Sequence, residues 1–181
     1  MAGVAILCAD GFETIECLTP VDVLRRGGVR ATLISIMDSR EVVSSQQIPI
    51  TCDCTFDEVD FSDYDYVMLP GGLPGATNLR ADERVCNVVR EFAANKHVAA
   101  ICAAPSILAE LGLLDGHKAT CFPGFDTDFP SDCFAGERTV VTSGNIITAS
   151  GMGQALPFAL AILRDIAGDV AVKKVADSIQ M

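Results

Sequence analysis

The run V-A-A-I-C-A-A-P, from Val98 to Pro105, decides the fold. Four apolar residues, too few for a helix, end at Cys102. Small residues and a proline then open a helical pattern through Ser106, Ile107, Leu108, Ala109, Glu110 and Leu111. A strand that hands over to a helix at a cysteine pushes the thiol out of the sheet's carboxyl edge. There it meets the first N–H groups of the helix, whose partial positive charge favours a thiolate. The other reading is a small buried core residue, as free cysteines commonly are. These eight residues do not separate the two.

Working outward, the same alternation repeats. Gly3 to Cys8 reads as a buried strand closed by Asp10-Gly11, and Glu13 to Arg26 as a helix with Ile15, Leu18, Val21 and Leu24 three apart, stopped by Gly27-Gly28. Arg30 to Ile36 completes a βαβ unit. Val42-Val43 and Ile48 to Thr51 flank a polar turn and predict a small hairpin, and Asp57 to Asp65 is an acidic connector read as a solvated face. Tyr66 to Leu69 is a strand ended by P-G-G-L-P-G-A, and Asp82 to Ala94 an amphipathic helix. Beyond the cysteine corner, a short strand is expected over Ala119 to Phe122. A late hairpin follows over Thr139 to Thr142 and Ile146 to Ala149, then helices over Gln154 to Ala167 and Asp169 to Ile179. The whole predicts an α/β sandwich around a mostly parallel sheet, one domain over residues 1–181.

Composition narrows the function. With 181 residues, 50% apolar and 20% charged, the chain can bury a substantial core. A net charge of −11 with no basic patch argues against nucleic acid as a partner. The opening M-A-G-V-A-I-L-C-A-D lacks the pattern of a signal peptide, and Val98 to Leu114 is too short and interrupted for a membrane span. A soluble, cytoplasmic protein is expected, with no membrane partner. Its eight cysteines are then read as reduced thiols. Cys52-x-Cys54 has no second Cys or His pair at zinc spacing, so neither a metal nor another cofactor is expected.

In an open parallel sheet, ligands bind outside the carboxyl ends of the strands. Three loops meet there: Ala9 to Glu16, Pro70 to Ala76, and Cys102 to Pro105. Gly71 and Gly72 let the backbone approach a ligand, and with the N–H of Ala103 they could form an oxyanion hole; an ordinary tight turn is the alternative. Glu13 and Glu16 share one helix face, so one of them could point at Cys102 with a raised pKa, or both could simply favour the helix N-terminus or solvent. His97 and His117 both precede strands and belong at the amino end of the sheet, away from the thiol. Cys121 could approach the site, but reads more simply as buried.

A-D-G-F-E-T-I-E at 9–16, P-V-D-V-L-R-R at 20–26, L-P-G-G-L-P-G-A at 69–76, A-A-I-C-A-A-P at 99–105 and P-F-A-L-A-I at 157–162 together resemble the ThiJ/PfpI superfamily. Within it the match is to the branch of the Parkinsonism-associated protein deglycase and its bacterial chaperone-type relatives. The resemblance implies a flavodoxin-like three-layer sandwich of the class I glutamine amidotransferase type, a homodimer, and a nucleophile-elbow Cys102 on a strained backbone. It further implies that Glu16 hydrogen-bonds the sulfur and that Gly71, Gly72 and Ala103 are backbone donors. The implied function is a stress response through cysteine-dependent, glutathione-independent glyoxalase or deglycase chemistry on methylglyoxal or on glycated thiols and amines. The implied alternative is a redox sensor or chaperone whose Cys102 is oxidised to sulfinate. Three positions depart from the pattern. Phe122 stands where animal members place a histidine, Ala103 where the protease-like branch has one, and Ser150 where an S-R-G turn would carry arginine.

Overall fold

A computed structural model describes residues 3–181. Its first strand, β1 (Gly3–Cys8), is buried from end to end, as a strand covered on both faces must be. Around it are arranged β2 (Arg30–Ser35), β5 (Cys54–Thr55), β6 (Tyr66–Leu69), β7 (His97–Ile101), β8 (Val140–Ser143) and β9 (Ile146–Ala149). They form a seven-stranded sheet of order β5-β2-β1-β6-β7-β9-β8, parallel throughout except where β8 returns antiparallel to β9. Strand order reverses at the boundary between β1 and β6, so the loops leaving those two strands diverge from a shared edge.

Alternate residues of each strand face opposite layers. Val4, Ile6, Met68 and Ile101 pack under α1 (Thr14–Arg26) and α5 (Ala155–Ser178). Ala5, Leu7, Val67 and Leu69 pack under α3 (Glu83–Asn95) and α4 (Pro105–Glu110), which contribute Val85, Val89, Phe92 and Leu108. The product is the flavodoxin-like sandwich. No helix of the described residues is long and apolar enough to cross a membrane.

Local sequence explains most boundaries. Glu13 caps α1 by accepting from the Glu16 N–H at 2.7 Å, and Gly27 closes it. The hairpin of β3 (Glu41–Val43) and β4 (Pro49–Thr51) stands where alternation placed it. Gly168, at φ 77° and ψ 174°, interrupts α5 and divides it into the two expected helices.

Two features differ from expectation. Residues 119–122 make no strand, only an isolated bridge from Ala119 to Phe134. The backbone there is spent elsewhere: the Thr120 N–H donates to Thr148 Oγ1 and the Phe122 N–H to the Cys102 carbonyl, so no ladder can form. And a helix, α2 (Gly75–Ala81), follows the glycine-rich loop directly. Its first residue is glycine because a Cβ there would lie 2.6 Å from the Phe12 backbone nitrogen.

Alanine normally stabilises a helix over glycine by about 1 kcal/mol. At position 75 the sign should reverse. Gly75→Ala is expected to cost about 2–4 kcal/mol, because the clash is with backbone that cannot move aside. Chemical denaturation reads the difference, and a variant as stable as the parent would show that the α2 entry is looser than described.

Candidate functional site

Cys102 follows β7 and adopts φ +65°, in the left-handed region that side chains avoid. The conformation costs about 1–3 kcal/mol. Burial of one neighbour such as Ile101, which is fully inaccessible, supplies a similar amount. Both backbone groups of the cysteine are tied: its N–H donates to the Ala149 carbonyl at 2.9 Å, and its carbonyl accepts from Phe122 at 2.8 Å. The corner is therefore fixed by two neighbouring segments, and it holds the thiol half-buried at the sheet's carboxyl edge.

The two glutamates separate. Glu13 is consumed as the cap of α1, whereas Glu16 turns inward and is 1% exposed. Its Oε2 accepts from the Gly71 N–H at 3.1 Å. Its Oε1 makes no hydrogen bond within the described residues. The Cys102 thiol and the Met152 N–H both lie close enough to act on this carboxyl group. Pro20, one turn later, lacks the N–H that would have bonded the Glu16 carbonyl.

Gly71 is the spacer between the two groups. A Cβ on it would stand 2.5 Å from Glu16 Oε2 and 2.6 Å from the Cys102 Cβ, so only glycine allows the approach. Gly72, at φ +89°, lies against Gly11 and Phe12 of the first loop. The expected donor set thus divides. Gly71 serves the carboxyl group, while the N–H groups of Gly72 and Ala103 act on the sulfur.

Electrostatics couple the pair. Burial pushes Glu16 up to about 7, against the opposing pull of the nearby Cys102 thiol and of the Gly71 N–H. Burial and the Glu16 carboxylate push the Cys102 thiol up to about 12, and the donors at Ala103 and Gly72 offset only part of this. Burial and the adjacent carboxylate therefore outweigh the helix N-terminus that the sequence suggested, in part because α4 is only six residues long and starts three residues after the sulfur. The first negative charge of the pair therefore falls on Glu16, and it holds the thiol neutral. A protonated Glu16 removes the repulsion that holds the thiol neutral, and offers the sulfur a donor.

The histidines lie elsewhere. His97 stacks on Tyr66 at the start of β7, with ring centroids 4.6 Å apart, and His117 Nδ1 contacts the Ser143 carbonyl at 2.9 Å. Cys121 is fully buried, and burial pushes its pKa up to about 12. Beside Cys102 opens a groove of about 350 Å³ lined by Phe122, Arg138, Ser150, Gly151 and Met152, among others. Sequence reasoning named Phe122 and Ser150 here but not Met152 or Arg138. Met152 opens a single 3-10 turn and Arg138 stands on a loop, neither with a periodicity to mark it, and only the fold brings them to one groove.

Comparison with known proteins bears on the family and the fold. The model of the DJ-1/PfpI family matches residues 2–165. Protein DJ-1 homolog B of Arabidopsis thaliana is 38% identical over 162 residues, which are 88% of this chain but 37% of that protein, so the chain spans well under half of that relative. Protein dj-1beta of Drosophila melanogaster is 34% identical over 94% of this chain and 92% of its own length. The solved structure of oxidized DJ-1 from Toxoplasma gondii superposes with a TM-score of 0.94 at 32% identity, covering 99% of this chain and 98% of that one. With a family model matched over most of its length and relatives more than 30% identical, this chain belongs to the DJ-1/PfpI family.

Proposed function

We propose that this chain is a cytoplasmic stress-response protein that converts methylglyoxal, or its adducts on thiols and amines, without glutathione. The observation that carries this reading is the buried Glu16 carboxyl group, one oxygen held by Gly71 and the other without a partner beside Cys102. Such a group can take a proton, hold it out of water and return it. As the sulfur bonds to the aldehyde carbon, the thiol proton passes to Glu16 and then to the new oxyanion, which the N–H groups of Gly72 and Ala103 stabilise. Glu16 next moves the proton on that carbon to the neighbouring carbonyl carbon, while the hydroxyl proton passes to the oxygen of that neighbour, leaving a lactoyl thioester. Water cleaves the thioester, so methylglyoxal and one water become lactate and the free thiol returns. No imidazole is required, which suits Phe122 at the mouth of the site.

A second reading rests on a different observation. The same two N–H groups face the sulfur itself, and Cys102 is half-buried where six of the other seven cysteines are buried. Two peroxide equivalents would add two oxygens to the sulfur with release of two waters, giving a sulfinate held by those donors and by protonated Glu16. The solved Toxoplasma gondii relative was itself oxidized. A homodimer is part of the same proposal, supported by exposed Ile15 on α1 and by exposed Val43 and Ile48 of the β3–β4 hairpin, which backbone bonds from Gly11 to Val43 and from Ser45 to Phe12 tie to the loop before α1. Light scattering that reads a single chain mass would overturn the pairing.

Lactate release separates the first two readings. Wild type should form lactate from methylglyoxal, and Cys102→Ala and Glu16→Gln should each lose at least about a hundredfold of that rate, the low end of what a positioned proton-transfer group contributes. No lactate above the protein-free control, with two oxygens appearing on Cys102 before any other cysteine under mild peroxide, favours the sensor. Uniform oxidation of the thiols counts against the sensor.

The raised pKa of Glu16 also makes a stability prediction. The unfolded chain releases this proton above about pH 4.5, whereas the folded chain keeps it to about 7, so stability falls as pH rises through that window. The loss is about 3 kcal/mol from this group. Glu16→Gln should therefore be more stable than wild type at pH 8, and the advantage should shrink at pH 5. Urea unfolding at the two pH values checks it, and a variant less stable at both would refute a buried, strained carboxylate.

A further inference from the structure

We infer that Arg138 forms a carboxylate-binding subsite in the groove beside Cys102, so that the substrates favoured there are carbonyl compounds bearing a carboxylate group. The inference rests on the reactive-thiol reading above and extends it to substrate class. Among the described residues, Arg25, Arg26, Arg40, Arg80, Arg84, Arg90 and Arg164 each pair with a carboxylate, and Arg30 donates to the Asp63 carbonyl. Arg138 alone among the arginines has neither kind of partner. An unpaired guanidinium in a chain of net charge −11, with acids in excess on its surface, is conspicuous for its position. It lines the groove with Phe122, Ser150, Gly151 and Met152.

Continuity with the thiol is structural. Thr139, the next residue, is locked to Ser150 in both directions: the Ser150 N–H donates to the Thr139 carbonyl at 3.1 Å, and the Thr139 N–H to Ser150 Oγ at 3.2 Å. Gly151 then carries the groove inward, its Cβ direction reaching Phe122 at 3.3 Å and Glu16 Oε1 at 4.0 Å. Phe122 in turn bonds the Cys102 carbonyl. Arg138 sits at φ +53°, an unfavourable backbone for arginine that the flanking Thr139–Ser150 pairing holds in place.

The chemistry fits a carboxylate better than a phosphate. One guanidinium fork matches two carboxylate oxygens, whereas a phosphate dianion recruits several donors, and this groove offers one cation. Glu137 at the rim and Glu16 at the inner end are the acids facing the groove, so the anionic group is directed to Arg138 and the carbonyl carbon to the sulfur.

The test uses iodoacetate and iodoacetamide, which differ by a carboxylate against a neutral amide, with alkylation of Cys102 followed by peptide mass spectrometry. The ratio of the two rates cancels the intrinsic reactivity of the thiol. In Arg138→Gln the iodoacetate-to-iodoacetamide ratio should fall by about three- to tenfold, Arg138→Lys should lie between, and 0.5 M salt should lower the wild-type ratio, as screening requires. Arg90→Gln on α3 controls for net charge. A ratio unchanged in Arg138→Gln, or lowered as much in Arg90→Gln, overturns the subsite while leaving the reactive thiol standing. A Cys102 that neither reagent modifies overturns the reactive-thiol reading and the subsite with it.

Discussion

The approach of Glu16 to Cys102 across Gly71 is the constraint on which the site depends. Three chain segments must converge within van der Waals distance for it to exist: the first turn of α1, the loop after β6, and the corner after β7. Any side chain at position 71 would separate the carboxyl group from the thiol. The sheet order makes the convergence possible, because β1, β6 and β7 are neighbours and release their loops at the same edge. Around this contact the chain accepts local costs, a left-handed cysteine and an under-bonded buried acid, which the large buried core offsets.

Placement of the charge is the functional consequence. In water a glutamate and a cysteine titrate about four units apart. Here burial raises both, the Glu16 carboxylate raises the thiol further, and the thiol in turn favours the carboxylate, so the negative charge of the pair rests on Glu16 and the proton on the sulfur. Both proposed readings draw on the same two side chains, one using the acid to move protons and the other to hold an oxidised sulfur. What would distinguish substrates lies further out, in the groove where Phe122 and Met152 supply apolar surface and Arg138 the cation.

Much of the fold was legible from periodicity and punctuation. Continuous apolar runs marked β1, β6 and β7, threefold spacing marked α1, and Gly27 and Gly168 marked helix limits. The segment 119–122 misled because its apolar composition is that of a strand. Its backbone groups bond instead to a threonine side chain and to the cysteine corner, partners far away in sequence. The helix α2 was hidden for a related reason: glycine and proline at its start signal a turn, and the need for a missing Cβ arises only against Phe12 from another loop.

By itself the sequence determined the alternation of elements, the presence of a cysteine at a strand-to-helix corner, and the family. These are properties of neighbouring residues and of their spacing. Spacing alone left Glu13 and Glu16 open, and only the family resemblance pointed to Glu16; nothing in the sequence could assign Gly71 to the carboxyl group and Gly72 to the sulfur, or place Arg138 at the groove. Those outcomes turn on distances between segments tens of residues apart. They also turn on burial, which reversed the direction in which the helix N-terminus alone would have moved the thiol. Desolvation is a property of everything packed around a group, and so only the tertiary structure could decide it.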